Sequence, residues 1–570
     1  MIIYGHRSFP LNVPEFLRTF GARLAALPAL PAHDTIVDLL VDFGEAYSAA
    51  ADAAFPSRDD TSDPLRAWSD AAHSLARSLV DSWHADRESA REWLRECRRS
   101  IDIVQRTSRL RTITANTAEG FAYYGLYPEQ YLLAAGQFVR ERSPQEVICI
   151  GIRNIGAILA HVVAGAIERL GAASRVITVR PRGHPFDRRL HLSDRLRDEL
   201  RNHRSHWFAV VDEGPGLSGS SFAAATDALH ELGTDASRIV LLPGWRAPLD
   251  ALGSDRGRRA LEQHSVFVGS FDDVFCTDGT LDMSAGQWRN HLLGHERSWP
   301  AVQPQHERRK YLTEAEGRFI LRFAGLGRHG RSRLNRARRF ADAGFGVEPV
   351  HLENGFLTLR WIDGDPQTAA SMRSSTYAVD RTAEYIALVG QMFRRQEVAR
   401  VGEIIGMMQT NVREALGDEA STALDPLASE AQSFEEPAVA IDGRMLPHEW
   451  ILSGDRLWKV DALDHHADDF FTGERDIAWD VAGAIVELDL TDGAASALVD
   501  AYRSRSRDRT IAKRLPFYQA AYLAYRLGYA TMAAESLNGT DDGVRFTELQ
   551  TRYRRSLATL AARPRPVRRR

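Results

Sequence analysis

Between residues 146 and 242 the chain alternates short, almost wholly apolar runs with stretches of helical length, and this pattern constrains its fold more than any other feature. Val147-Ile148-Cys149-Ile150-Gly151-Ile152, Arg175-Val176-Ile177-Thr178-Val179, Phe208-Ala209-Val210-Val211 and Arg238-Ile239-Val240-Leu241-Leu242 read as strands. Helical patterns at 157–170 and 222–232 lie among them. A strand apolar on both faces must be covered on both, and strands alternating with helices pair in parallel. The centre of the chain is therefore expected to be a parallel α/β sheet.

At 570 residues the chain exceeds what one core usually organises, so a multidomain α/β protein is expected. Residues 1–119 read mainly as helix, with helical spacing over 35–54 and 63–113. Residues 120–300 form the sheet region, and a polar stretch near 294–306 leads into a third region, 307–562. That region opens with strand candidates, Arg318-Phe319-Ile320-Leu321-Arg322-Phe323 and Gly355-Phe356-Leu357-Thr358-Leu359-Arg360-Trp361, and continues mainly as helix. The basic end 563–570 reads as a solvated tail. The aromatic run Phe121 to Pro128 suits either a lid over a neighbouring site or packing between domains.

The net charge of −4 provides no global field for nucleic acid, which is not expected as a partner. Cys97, Cys149 and Cys276 have no zinc spacing and cannot build a disulfide framework. No signal-peptide pattern and no run near the roughly 20 apolar residues of a membrane span occurs, so a cytoplasmic protein without membrane contact is expected.

The third strand ends in Asp212-Glu213, followed by Gly214-Pro215-Gly216-Leu217-Ser218-Gly219-Ser220-Ser221 and a helix. Ligands of open parallel sheets sit beyond the carboxyl ends of the strands. Small residues let backbone N–H groups approach a phosphate, and a helix N-terminus favours its charge. The acids suit hydroxyl groups or a cation, so a sugar phosphate satisfies both ends of the loop. Three other motifs fail here. The GxGxxG match sets carboxylates against its first glycine, and the next strand supplies no acid for a ribose. A P-loop would need lysine at Ser220, and a nucleophile elbow would need glycine there.

This pattern resembles the PRPP-binding loop of type I phosphoribosyltransferases, where PRPP is phosphoribosyl pyrophosphate. The resemblance implies a Mg-dependent enzyme of the glycosyltransferase class, with Asp212 and Glu213 holding the ribose hydroxyls. It implies that Gly216, Ser218, Gly219, Ser220 and Ser221 hold the 5′-phosphate, and that Arg153 and Asn154 lie in the pyrophosphate loop. Arg180 and Arg182, in Arg180-Pro181-Arg182-Gly183-His184-Pro185-Phe186, fall where that family carries a flexible loop over the site. Arginine suits pyrophosphate, and the same segment also reads as a solvated basic loop. The acceptor is not specified by these residues.

In the third region, Asp442-Gly443-Arg444-Met445-Leu446-Pro447-His448-Glu449 and Leu457-Trp458-Lys459-Val460-Asp461 precede Asp476-Ile477-Ala478-Trp479-Asp480. This order resembles the aminoglycoside-phosphotransferase and choline-kinase branch of the kinase-like fold. The resemblance implies Mg2+ at Asp461 and Glu449, a nucleotide such as ATP or GTP contacted by Arg322, and a distal structural aspartate at Asp476 or Asp480. Arg444 stands where that family has its catalytic aspartate, Glu449 replaces an asparagine, and Leu334-Asn335-Arg336-Ala337-Arg338 has no glutamate for Arg322. Both a nucleotide-binding domain of unusual chemistry and a catalytically silent one fit. The run Asp461, Asp464, His465, His466, Asp468, Asp469 reads as a metal cluster or as an exposed acidic loop. The expected whole is a phosphoribosyltransferase-like enzyme fused to a divergent kinase-like domain, or a PRPP- or nucleotide-sensing regulatory or defence protein without turnover.

Overall fold

The structure, a computed structural model, describes residues 1, 8–275, 277–314, 317–468, 470–471 and 473–562. Cys276, Asp469 and the basic end 563–570 lie outside the described residues.

The first part is helical, led by α1 (His33–Ala54) and α2 (Asp63–Trp83). Ser62 starts α2 by accepting the Leu65 amide on its hydroxyl, which satisfies one of the helix's orphan donors. A strand pair, Ser8–Asn12 with Thr112–Asn116, closes the region.

The expected parallel sheet follows. Its strands are β1 (Glu146–Ile152), β2 (Ala173–Val179), β3 (Trp207–Val211), β4 (Ile239–Leu242) and β5 (Ser265–Val266), in the spatial order β2-β1-β3-β4-β5. All neighbours run parallel. Helix α3 (Gly156–Arg169) is apolar almost all round because it lies between this sheet and the first helices. The first helices share one apolar core with the sheet, so the boundary near residue 119 does not divide two cores. Helix α4 (Ser220–Glu231) follows β3.

A second sheet is antiparallel: β6 (Thr280–Asp282), β7 (Lys310–Thr313), β8 (Phe319–Phe323), β9 (Pro349–Glu353) and β10 (Phe356–Arg360), in the order β6-β7-β8-β10-β9. Residues 280–282 fall within the span assigned by sequence to the parallel sheet, yet they pair with β7. Three residues carry too little pattern to show which sheet they join. Helix α5 (Arg328–Asp342) crosses between β8 and β9. Beyond β10 lie a short hairpin, β11 (Trp450–Ser453) with β12 (Arg456–Lys459), and a helical body ending in α6 (Ala478–Glu487), α7 (Ile511–Ser536) and α8 (Asp541–Ala561). Tyr311, Phe323 and Phe356 of the second sheet pack into the first core, so the two halves meet through apolar surface.

The run 121–128 belongs to that junction rather than to a lid. Residues Gly120–Tyr124 form one π-helical turn. The Tyr123 hydroxyl donates to the Ala467 carbonyl, and the Tyr127 hydroxyl to that of Asn354. No helix among the described residues is long and apolar enough to cross a membrane.

Candidate functional site

After β1 the chain moves to β2 on one side, and the next strand, β3, lies on the other. The carboxyl ends of β1 and β3 therefore form a topological switch point, where open α/β sheets bind ligands. The loops that meet there are 153–155 and 212–219. Gly156 allows them to touch, since a Cβ on it would lie 2.4 Å from the Val211 carbonyl oxygen and 3.0 Å from the Asp212 Cα. The Tyr131 hydroxyl supports the turn by donating to the Asp212 carbonyl at 2.7 Å.

Asp212 and Glu213 are half-buried. Burial pushes the Asp212 carboxyl up to about 7, against the lowering effect of the Glu213 amide and of Arg188 and Arg180. Burial, with the like charges of Glu119 and Asp212, raises Glu213 well above its ordinary range.

The serines of the loop already have an acceptor. Ser218 and Ser220 both donate their hydroxyls to the Pro185 carbonyl, at 2.8 and 2.6 Å, and Arg188 donates to the Ser221 hydroxyl oxygen at 2.7 Å. The segment expected to lack regular structure is in fact a short hairpin, Arg182–His184 with Asp187–Arg189, its tip resting on the loop. The Trp245 ring lies beside Gly214, 41% exposed, where a Cβ on the glycine would be 2.4 Å away.

The arginines expected to meet pyrophosphate are held by acids from the end of α1 and the loop after it. Arg153, 1% exposed, donates to Asp59 at 2.9 Å and to Asp52 at 3.3 Å. Arg180 donates Nε to Asp52 at 3.0 Å, and Arg182 donates to Asp59 at 3.1 Å and to the Phe55 carbonyl at 2.8 Å. The Asn154 side chain donates to the Thr117 carbonyl at 3.3 Å. Sequence reading missed Asp52 and Asp59, which lie about a hundred residues before their partners.

The second site is a cavity of about 570 Å³ between the second sheet and the helical body. Ile320, Leu359 and Ile451 give it apolar walls, and Arg322, Asp461 and Arg444 are among its charged lining residues. The segment between β6 and β7 roofs it. There Arg289 pairs with Asp542 at 2.7 Å, Gln303 donates to Ser536 at 2.8 Å, and His306 stacks on Phe470 at 3.7 Å. The polar stretch read as a linker is this roof.

Asp480 fixes the 442–444 turn by accepting the Asp442 amide at 2.9 Å and the Gly443 amide at 2.8 Å. Asp476 instead pairs with Arg514 at 2.7 Å. Arg322 donates to Asp461 at 2.9 Å and to Asp464 at 2.7 Å. Helix α5 offers it no acid. Its Arg333 lies 3.5 Å from Asp464, and its Arg336 donates to the Ala462 and Ala440 carbonyls.

Lys459 is the residue that sequence reading overlooked. It sits two positions after Leu457 on β12, so the strand's period of two turns both inward. Its ammonium lies 2.9 Å from Asp442 and 2.8 Å from Glu449. His465 lies 3.0 Å from Asp442, 3.6 Å from Asp461 and 3.9 Å from Glu449. Against the opposing effects of burial and Arg444, the neighbouring acids raise His465 to about 9, so it is cationic near neutrality.

Ligand atoms of Asp442, Glu449 and His465, and of Asp461, Asp464 and His465, lie within 4.8 Å of one another. A divalent cation at Asp461 and Glu449 would have to displace Arg322 and Lys459, leaving Arg322 with Asp464 and Lys459 with Asp442, so these carboxylates are already taken by the fold's own cations. The 461–468 acids are paired within the fold rather than exposed: Asp464 and Asp468 hold Arg308 at 3.0 and 3.1 Å.

No family model and no curated protein matches the chain. Among solved structures it is similar to a choline/ethanolamine kinase family protein from Mesorhizobium loti, 17% identical over 45% of this chain and 86% of that one, with a TM-score of 0.34. It is also similar to choline kinase LicA from Streptococcus pneumoniae, 16% identical over 44% of this chain and 89% of that one, at 0.32. A gentamicin complex of APH(2")-IIa is 9% identical over 52% of this chain and 94% of that one, at 0.31. Likenesses this slight carry no argument about function.

Proposed function

We propose that the cavity of the carboxyl-terminal half is a kinase-like cleft that holds a nucleotide-class ligand and performs no conventional phosphoryl transfer. One arrangement carries this reading: a cavity of about 570 Å³ is lined by the Arg322–Asp461 pair and by Arg444, on the fixed turn where a proton acceptor is needed. A well-formed pocket with a few convergent polar groups is a natural binding site. Phosphoryl transfer depends on positioning, charge neutralisation and an oriented nucleophile, and a guanidinium cannot accept a hydroxyl proton. Titration of ATP and GTP into the wild-type chain, beside an assay of γ-phosphate transfer to small alcohols and sugars, tests both halves. Binding without transfer is expected. Rapid transfer, or failure of every nucleotide to bind, would overturn the reading.

A second reading is favoured by the acids at the switch point. It makes the parallel-sheet half a PRPP site and the chain a phosphoribosyltransferase-like enzyme of nucleotide-related or specialised metabolism, with an acceptor still to be identified. Asp212 and Glu213 would take the ribose hydroxyls, and the 216–221 loop the 5′-phosphate, whose oxygens would replace the Pro185 carbonyl as acceptors. A ligand bound only by the folded state raises the unfolding temperature by mass action. PRPP with Mg2+ should do so, and Asp212→Asn with Glu213→Gln should abolish the shift. A shift unchanged in that double variant would remove the assignment. Pyrophosphate release in the presence of candidate acceptors separates an enzyme from a sensor that binds without turnover.

A further inference from the structure

Arg322 is 5% exposed and lines the cavity, yet only part of its guanidinium is engaged. Its Nη2 donates to Asp461 and Asp464, while Nε and Nη1 are buried without a hydrogen-bond partner. Buried donors left unpaired are costly, more so on a charged group, and their recurrence in a native fold calls for an explanation. Two such donors on one side chain in the wall of a cavity call for oxygen acceptors from a ligand. Lys310 lines the same cavity, and so do Arg308 and Arg444, so the surrounding charge also favours an anion.

Kinase-type sites usually receive a phosphate together with a divalent metal held by carboxylates. Here the carboxylates are already neutralised from within: Lys459 joins Asp442 to Glu449, and Arg322 takes Asp461. We infer that the cleft recognises a phosphate group directly, through Arg322 Nε and Nη1, with no divalent cation between them. The inference deepens the proposed nucleotide reading and rests on it only for the remainder of the ligand. The phosphate contact is independent of which base or sugar follows.

Calorimetric titration of the full chain with ATP and with inorganic pyrophosphate, each in EDTA and in excess MgCl2, tests this. Affinity in EDTA should equal or exceed that in Mg2+, within about twofold of measurement. Arg322→Met should weaken binding in EDTA at least tenfold, and Arg322→Lys should recover part of the loss. Lys459→Met frees the Asp442 and Glu449 carboxylates and should make ATP binding depend on Mg2+. Should that variant fail to fold, the wild-type comparison decides alone. Wild-type binding that requires Mg2+ would overturn the inference while leaving the nucleotide reading intact. Pyrophosphate binding that Arg322→Met weakens, without ATP binding, would uphold the inference and remove the nucleotide reading. Binding unmoved by Arg322→Met lies elsewhere and overturns the inference, and absence of all binding overturns both.

Discussion

The Lys459 ammonium lies 2.8 Å from Glu449 and 2.9 Å from Asp442, so one buried cation joins the acid just before β11 to the first residue of the 442–444 turn. Lys459 is 3% exposed and Asp442 fully buried. Removing one member of such a group leaves the others charged in a medium that solvates them poorly. Lys459→Ala is therefore expected to destabilise the fold by about 3–5 kcal/mol, measured by urea unfolding. Combining it with Glu449→Gln should recover part of that loss, because fewer unpaired charges remain. Equal losses for the single and double variants would count against this pairing.

Much of the architecture was legible because its determinants are local. The apolar strands around Ile150 and Val210 could only be buried on both faces, and the turn at Gly454 announced the hairpin beside Lys459. What was not legible depends on distant partners. Nothing near Arg153 or Arg180 in the chain reveals that Asp52 and Asp59 take their guanidinium groups. The same holds for the acids of α1, where Asp38, Asp42 and Glu45 hold Arg328, His329 and Arg331 at the start of α5. Lys459 differs, since its inward position follows from the strand period alone. It went unread because lysine is rarely placed in a core.

Asp212 predicts a pH dependence. Its folded-state value, about 7, lies above the ordinary 3.8, because burial disfavours the ionised form. Its contribution to stability is therefore present below 3.8 and lost as pH rises through 7. Ligand binding should run the opposite way, since ribose hydroxyls need the ionised carboxylate as acceptor. PRPP affinity should be about tenfold weaker at pH 6 than at pH 8, and Asp212→Asn should flatten the profile. A profile that keeps its slope in that variant assigns the titration to another group.

Arg180 and Arg182 distinguish a structural role from a ligand role. Asp59 is fully buried and accepts from Arg153, Arg182 and the Arg180 amide. Arg180→Ala with Arg182→Ala leaves it one guanidinium, and a stability loss of about 3 kcal/mol is expected without any ligand. If the pair also meets pyrophosphate, PRPP should weaken far more than ribose 5-phosphate, which lacks that group. Equal weakening of both ligands would restrict these arginines to holding Asp52 and Asp59.

The two candidate sites share the π-helical turn Gly120–Tyr124, and coupling between them is the last expectation. On one side, Gly120 lies against the Glu213 carboxylate, whose Oε1 is 3.0 Å from where a Cβ on the glycine would be. On the other, Arg333 donates to the Ala122 carbonyl at 2.6 Å and lies 3.5 Å from Asp464. The Tyr123 ring is covered by Arg308 at 4.6 Å and Arg333 at 5.1 Å, both within the network around Asp464. A ligand that draws Glu213 toward ribose hydroxyls must alter its contact with Gly120. The turn spans only five residues and is tied at its far end by Arg333 to the Ala122 carbonyl and by Tyr123 to the Ala467 carbonyl, so a change at Gly120 is passed along it. Saturating PRPP should change ATP affinity about 5–150-fold, the usual range of such coupling, and ATP should change PRPP affinity by the same factor. Tyr123→Ala should reduce that factor while leaving each separate affinity within about twofold. Calorimetric titration of each ligand with and without the other measures both directions. Affinities that are independent in the wild-type chain would show that the turn joins the two sites in packing alone.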